Sequence, residues 1–473
     1  MFDLIVIGGG SGGLTATAVA RKLGARVLLV DKKALGGDCL FTGCVPSKTL
    51  IRTAALAHQM RHADRWGLAA TPPLIDGARV MQRVRDVIAH IGAHEDSIEH
   101  FQALGADVRI GRVAFVAPDT LLLDDERLAV RACILATGSR PHTAPIEGLE
   151  EVGYLTNESI FELKSIPSSL LVLGGGPIGC ELGQAMARLG ARVTIAHSGD
   201  RLLPKEDPDC STELRARLEA EGIVVHTALR AGRAWRDDAD KVVGCTQSGA
   251  SVELRAAEIL VATGRAPNIE ALGLAEAGID HDAKRVLVDD ELRTTNPRVF
   301  AVGDLTGRFP FTHMAGYEAA TATRNAILPL ASKARYCVVP WTTFTAPEVA
   351  RVGLTEAEAR RESDKVTVAR SRFADVDRAL TEGEPDGFVK LIAIGDKLVG
   401  AHIVGPHAGE LIHPCVLAMQ RGLGLSALAS MTWVYPTLGE AVRKAAQTRY
   451  DRLLARPMVS RLVALARRLK GRD

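Results

Sequence analysis

Short, uninterrupted apolar runs alternate along the chain with glycine-rich turns and with stretches of helical period. Leu4-Ile5-Val6-Ile7 is the first such run, and its lack of polar alternation predicts a buried strand. It enters Gly8-Gly9-Gly10-Ser11-Gly12-Gly13. An alanine-rich helical stretch follows, and then a second strand, Arg26-Val27-Leu28-Leu29-Val30, ends at Asp31. The same order returns at Leu170-Leu171-Val172-Leu173 and Gly174-Gly175-Gly176-Pro177-Ile178-Gly179. A helix carrying Glu181 to Leu189 comes next, then the strand Arg192-Val193-Thr194-Ile195-Ala196. Each copy is a strand–glycine turn–helix–strand unit of about 30 residues, the form of a dinucleotide-binding βαβ.

A second element closes each copy. Ile134-Leu135-Ala136-Thr137-Gly138 precedes Ser139-Arg140-Pro141, and Leu260-Val261-Ala262-Thr263-Gly264 precedes Arg265-Ala266-Pro267-Asn268. Val299-Phe300-Ala301-Val302-Gly303-Asp304 is a further apolar strand with an acid at its end. From about residue 336 the pattern changes to alternating strands, such as Gly387-Phe388-Val389-Lys390-Leu391-Ile392, mixed with helices. The expected fold class is α/β: two nested Rossmann-like dinucleotide-binding domains followed by an α+β domain. The expected boundaries are 1–147, 148–270, a return to the first domain over 271–335, a C-terminal domain over 336–450, and a basic tail over 451–473.

Composition narrows the function classes. The 473 residues are 47% hydrophobic and 24% charged, enough apolar material for several cores. Lysine and arginine number 58 against 56 acids, so no global basic excess points to nucleic acid. No apolar window is long enough for a membrane span, and the first residues lack a basic n-region, so a cytoplasmic protein is expected. The basic tail, Arg452 to Arg472, is amphipathic. A solvated helix face is expected there in preference to membrane contact. Glycine is abundant at 45 copies, which suits a backbone that runs close to large ligands.

In both glycine loops the following helix N-terminus is a ready phosphate site. Gly8, Gly10 and Gly13 form one cradle, and Gly174, Gly176 and Gly179 the other. Asp31 lies 23 residues after Gly8, placed to accept ribose hydroxyls, with Lys32 beside it. The second copy has His197 where the first has its acid, and Arg201 follows. Loss of the carboxylate removes a repulsion against a 2′-phosphate, so NADPH is favoured over NADH. Arg201 is either a charge for that phosphate or a solvated surface residue. Cys39-Leu40-Phe41-Thr42-Gly43-Cys44 places two thiols five residues apart at an expected helix start, where a helix N-terminus lowers thiol pKa. Zinc fits poorly, since no second Cys/His pair completes a ligand set with them, and no metal site is expected.

From Gly36-Gly37-Asp38-Cys39 through Lys48 the sequence resembles the redox-active signature of the pyridine nucleotide–disulfide oxidoreductases. That family includes dihydrolipoamide dehydrogenase, glutathione reductase and mercuric ion reductase. The resemblance runs from about residue 3 to 450 and takes in both glycine loops, both Ala-Thr-Gly turns, Val302-Gly303-Asp304 and Ala346 to Glu356. It implies a homodimer that passes electrons from NAD(P)H through FAD to a Cys39–Cys44 disulfide, and on to a small-molecule disulfide or a metal ion. Cys39 would be the exchange thiol and Cys44 the thiol facing the flavin. Lys48 resembles the family lysine near the flavin, Glu181 its ion-pair partner, and Asp304 the acid on the ribityl chain. His313 lies in a segment that borders the flavin ring. Gly37, Thr137, Gly138 and Gly303 fall in the FAD-binding motifs, and Gly264 in the nucleotide motif.

Near the C-terminus the chain departs from the thiol reductases of the family. Glu440 is kept, but Tyr435 stands where they carry a histidine. A phenol with pKa near 10 is a poor base at pH 7. Mercuric ion reductases resemble the chain in having a tyrosine there, although they end in a cysteine pair and no cysteine follows Cys415 here. The implied function is a mercuric-reductase-like flavoenzyme of unassigned acceptor. The alternatives are a dihydrolipoamide dehydrogenase or a slow flavin-bearing redox sensor. In the implied dimer, Tyr435 and Glu440 act on the other chain's Cys39.

Overall fold

The computed structural model describes residues 1–329, 331–454 and 457–470; Arg456 and Arg472 of the basic tail lie outside the described residues. The chain divides into two compact units: residues 1–198 with 229–335, and residues 199–228 with 336–473.

In the first unit, β1 (Leu4–Ile7), β2 (Val27–Asp31) and β3 (Asp107–Ile110) lie in one five-stranded sheet with Cys133–Leu135 and Val299–Ala301. The order is Val299–Ala301, Cys133–Leu135, β1, β2, β3, and every pair is parallel. A parallel sheet is covered on both faces, so its strands read as unbroken apolar runs. All four residues of β1 and of Val27–Val30 are buried accordingly. Helix α1 (Ser11–Lys22) makes the β1–β2 crossover. The second βαβ is built alike. Ser169–Leu173 pairs in parallel with Arg192–Ala196 on one side and Glu258–Val261 on the other, with Pro177–Arg188 as crossover helix. A two-stranded antiparallel ribbon joins Ser139–Pro141 to Arg265–Pro267.

The repeat extends to single contacts. Gly8 and Gly174 have φ of +108° and +128°, and a Cβ on either would stand 2.3 and 2.2 Å from the carbonyl oxygens of Ala136 and Ala262. Only glycine turns the chain there. A Cβ on Gly13 or Gly179 would strike the carbonyl oxygen of Gly8 or Gly174, which keeps each helix tight on its strand. Gly176 differs, because a Cβ there would meet nothing within 4 Å.

The second unit holds a five-stranded antiparallel sheet in the order Pro340–Thr343, Glu348–Gly353, Lys397–Gly405, Phe388–Ile394, Val366–Arg372. Val352, Phe373, Leu391, Ile403 and the helix residues Ala441, Val442, Ala445 and Ala446 form its apolar core. Residues 199–228 belong to this unit through a buried ion cluster. Lys390 Nζ lies 2.9 Å from Asp207, 3.0 Å from Asp209 and 2.8 Å from Glu356.

Candidate active site

Cys39 and Cys44 do not share a helix start, in contrast to the sequence expectation. Cys39 lies within the short helix α2 (Gly37–Phe41), and Cys44 opens α3 (Cys44–Arg61) after a break at Thr42-Gly43. Polar contacts hold the break. The Thr42 hydroxyl bonds the Asp38 carboxylate at 2.6 Å, and the Asn157 amide donates to Thr42 O and Asp38 Oδ1 at 3.1 and 3.3 Å. Cys44 thereby stands at the N-terminus of α3, where the helix dipole favours an anion.

Both thiols are free, and they stand close enough for Cys39 to share its proton with the Cys44 sulfur. The pair is polarised. The bond from Cys39 is the largest influence pulling Cys44 down to about 6, helped by the Thr312 hydroxyl and the Lys48 charge and opposed by burial and by Asp38. Thr312 Oγ1 stands 3.4 Å from Cys44 Sγ. Cys39 moves the other way, well above the ordinary thiol range, because it shares its proton with the Cys44 thiolate and is partly desolvated. One turn into α3, Lys48 Nζ lies 2.8 Å from Glu181 Oε2 on helix Pro177–Arg188. Glu181 is buried and Lys48 about a third exposed, so the carboxylate holds the ammonium in one place on α3.

A second network joins the redox helix to the end of the first sheet. The Ser139 hydroxyl bonds Asp304, and Arg265 bonds Ser139 Oγ at 2.8 Å and pairs with Asp38 at 3.1 Å. Burial pushes the Asp304 carboxyl up, against the pull of Ser139 and Arg265. Buried Glu318 accepts the Gly303 amide at 2.7 Å and sets the turn that presents Asp304. His313 is exposed near the start of helix Thr312–Ile327, its ring stacked on Phe311 at 5.5 Å. Thr137 and Gly138 lead into the ribbon, where Asn268 donates to Thr137 O at 2.9 Å. Lys32 is exposed beside Asp31.

The two cradles are closed by matching bonds. Asp31 Oδ2 accepts the Gly9 amide at 2.7 Å, and His197 Nδ1 accepts the Gly175 amide at 3.2 Å, each across 22 residues. An imidazole that accepts at Nδ1 is the neutral Nε2–H tautomer. His197 therefore takes over the structural bond of the missing acid without its charge. Gly264 precedes the ribbon strand Arg265–Pro267.

The remaining site residues lie in the second unit. Arg201 donates to Pro204 O at 2.9 Å and stands 3.5 Å from Asp200. Tyr435 is exposed, and its hydroxyl donates to Asp377 at 2.9 Å. That bond and the Asp377 charge raise the phenol's pKa further. Glu440 is buried at the start of helix Glu440–Leu454 and pairs with Arg443 at 2.7 Å. Sequence reasoning missed Thr312, Ser139, Arg265, Asp38, Asn157 and Glu318. Of these, Asp38 and Thr312 directly flank Cys39 and His313 in the chain, and Arg265 and Ser139 open the segments after the paired Thr-Gly turns.

Two glycine-loop βαβ units closed by matching bonds stand in the same unit as a polarised thiol pair. Residues 2–319 match the family described as pyridine nucleotide-disulphide oxidoreductase, and residues 339–446 its dimerisation domain. A mercuric reductase of Bacillus cereus is 34% identical over 450 residues, covering 94% of this chain and 71% of that protein. A dihydrolipoyl dehydrogenase of Halobacterium salinarum is also 34% identical, covering 94% and 95%. The HOCl-induced flavoprotein disulfide reductase RclA from Escherichia coli superposes with a TM-score of 0.83 at 26% identity, covering 94% of this chain and 99% of that one. It has also been solved as a Cu(II) complex. The chain belongs to the class I pyridine nucleotide–disulfide oxidoreductases. It is an FAD-dependent disulfide oxidoreductase of the mercuric-reductase-like kind, with FAD and NAD(P)H as the family's cofactors and its acceptor unassigned. Among the described residues, no helix is long and apolar enough to cross a membrane.

Proposed function

We propose that this enzyme uses NADPH to keep the Cys39–Cys44 pair reduced, and that the pair serves an acceptor that needs no histidine base: a thiophilic metal ion or a small reactive disulfide. The observation that carries the reading is the polarisation of the thiols, with Cys44 near 6 beside Thr312 and Lys48. The Cys44 thiolate is available at pH 7 to ligate a thiophilic ion without help from a base, whereas Cys39, held above the ordinary thiol range, exchanges only after giving up its proton. Tyr435, bonded to Asp377, is even less ionised at pH 7 than a free phenol and so offers no base there. That disfavours dihydrolipoamide exchange.

The cradles fit the two cofactors. Open space over Gly176 leaves room for a pyrophosphate at the helix N-terminus. Gly8, Gly10, Gly13 and Asp31 would hold FAD with Lys32, Gly37, Thr137, Gly138, Gly303, Asp304 and His313. Gly174, Gly176, Gly179, His197 and Gly264 would hold the nicotinamide nucleotide, with Arg201 as the candidate charge for a 2′-phosphate. When bound, FAD supplies the two-electron passage from nicotinamide to disulfide. In this scheme Cys44 stays ionised toward the flavin, Cys39 exchanges with the acceptor, and Glu181 fixes Lys48. The neutral His197 supports NADPH, because it closes the loop without repelling a phosphate. Comparable kcat/KM for NADH and NADPH would overturn that preference.

We further propose a cytoplasmic homodimer in which Tyr435 and Glu440 of one chain complete the site at the other chain's Cys39. Co-expressed Cys39→Ser and Glu440→Gln chains test this. Mixed dimers should recover activity in one site, and failure to exceed either parent would refute the shared site.

A further inference from the structure

Helix α4 (Gly77–Gly92) ends in a histidine pair that the redox chemistry leaves unused. His90 lies in its last turn and His94 one turn on, both exposed, with ring centroids 4.6 Å apart. The His94 amide bonds Ile91 O, so the His90 carbonyl is left to accept His94 Nδ1 at 2.6 Å. A carbonyl can only accept, so Nδ1 of His94 carries a proton, and in the neutral ring the lone pair lies on Nε2. This is the arrangement by which proteins fix a metal-ligating imidazole.

We propose that His90 and His94 form a bidentate site for a divalent transition-metal ion. With nitrogen–metal distances near 2.0 Å, each ring centroid stands roughly 3.2 Å from the ion, and two ligands at a right angle bring the centroids to about 4.5 Å. The observed centroid separation of 4.6 Å is within reach of this geometry. Asp86 lies one turn before His90 on the same stripe and adds negative charge there. Among the described residues no three His, Cys, Asp or Glu side chains converge on one point, so water completes the coordination. Imidazole ligands select borderline ions, with Cu²⁺ held more tightly than Ni²⁺ or Zn²⁺. The site stands beside the redox helix, since Gly92 lies against the side chain of Leu40, the residue after Cys39. His58 and His62 at the end of α3 have the same spacing, but His58 is half-buried and engaged by further contacts. We assign the site to the exposed pair.

The test is calorimetric titration of the oxidised holoenzyme with Ni²⁺, which is redox-inert and finds no free thiol at the Cys39–Cys44 disulfide. Loss of one bound Ni²⁺ per chain in both His90→Gln and His94→Gln, with retention in His58→Gln, is the expected result. His90→Gln leaves the helix cap intact, because the cap uses the His90 carbonyl and not its ring, and flavin content checks folding of each variant. Unchanged Ni²⁺ uptake in His90→Gln, or a loss confined to His58→Gln, would overturn the site. Binding is read with the redox pair oxidised, so the result does not depend on which acceptor the enzyme serves.

Discussion

Replacing Thr312 by valine removes one hydroxyl from the redox site and little volume. Its Oγ1 stands 3.4 Å from Cys44 Sγ, an ordinary distance for a hydrogen bond to sulfur, and Cys44 is solvent-exposed. A hydrogen bond to a charged group contributes about 1.5–3 kcal/mol. Exposure to solvent places this one at the bottom of that range, so the Cys44 pKa should rise by roughly 1. From about 6, where the thiolate dominates at pH 7, Thr312→Val brings the thiol to about half ionised at that pH. The assay is the pH dependence of iodoacetamide alkylation in the dithiol form, read at Cys44 by peptide mapping. The wild-type rate should reach half its plateau near pH 6 and the variant near pH 7, with the same plateau. A midpoint that does not move would refute the assignment of Thr312 as a thiolate donor and leave the low pKa to Cys39 and the helix terminus.

Three further outcomes follow from the geometry. Glu181→Gln leaves Lys48 without its anionic partner and should slow anaerobic flavin reduction by NADPH about tenfold, the equivalent of 1.4 kcal/mol in barrier; stopped-flow absorbance measures it, and an unchanged rate would make the ion pair structural. Lys390→Met leaves buried Asp207 without its cation, while Asp209 and Glu356 keep Arg370 and Arg360, and should cost about 3 kcal/mol of stability in the second unit, read as a lower urea midpoint. His402 is buried, bonds Leu354 O at 3.0 Å, and has its pKa lowered to about 4 by burial. The unfolded chain therefore binds the extra proton between pH 6.5 and 4. Stability of that unit should fall as pH drops through this window, by about 3 kcal/mol in all, and His402→Gln should flatten the urea-midpoint profile there.

Much of the molecule is written locally and was legible for that reason. Both glycine loops, their flanking strands and the thiol pair are short-range patterns, and each forms its element from residues within about 30 positions. What escaped the sequence is what the fold assembles from afar. Thr312 reaches Cys44 across 268 residues, and Arg265 reaches Ser139 across 126. No periodicity records either contact. The helix break at Thr42-Gly43 depends on Asn157, 115 residues away from Thr42, so a single helix start was the natural reading. His197 could be seen as a missing acid. Its bond to Gly175, which keeps the loop closed after the acid is lost, needed coordinates. The attachment of residues 199–228 to the second unit likewise rests on Lys390, a lysine buried in a strand that otherwise reads as apolar.

An anaerobic spectral titration with NADPH, run on wild type, Cys44→Ser and Cys39→Ser, tests the thiol relay most directly. A long-wavelength thiolate-to-flavin band should grow in the wild type, be absent in Cys44→Ser, and stand in Cys39→Ser before any reductant is added. A band that survives in Cys44→Ser, or a wild-type flavin that bleaches with no band, would contradict the assignment of Cys44 as the thiolate beside the flavin.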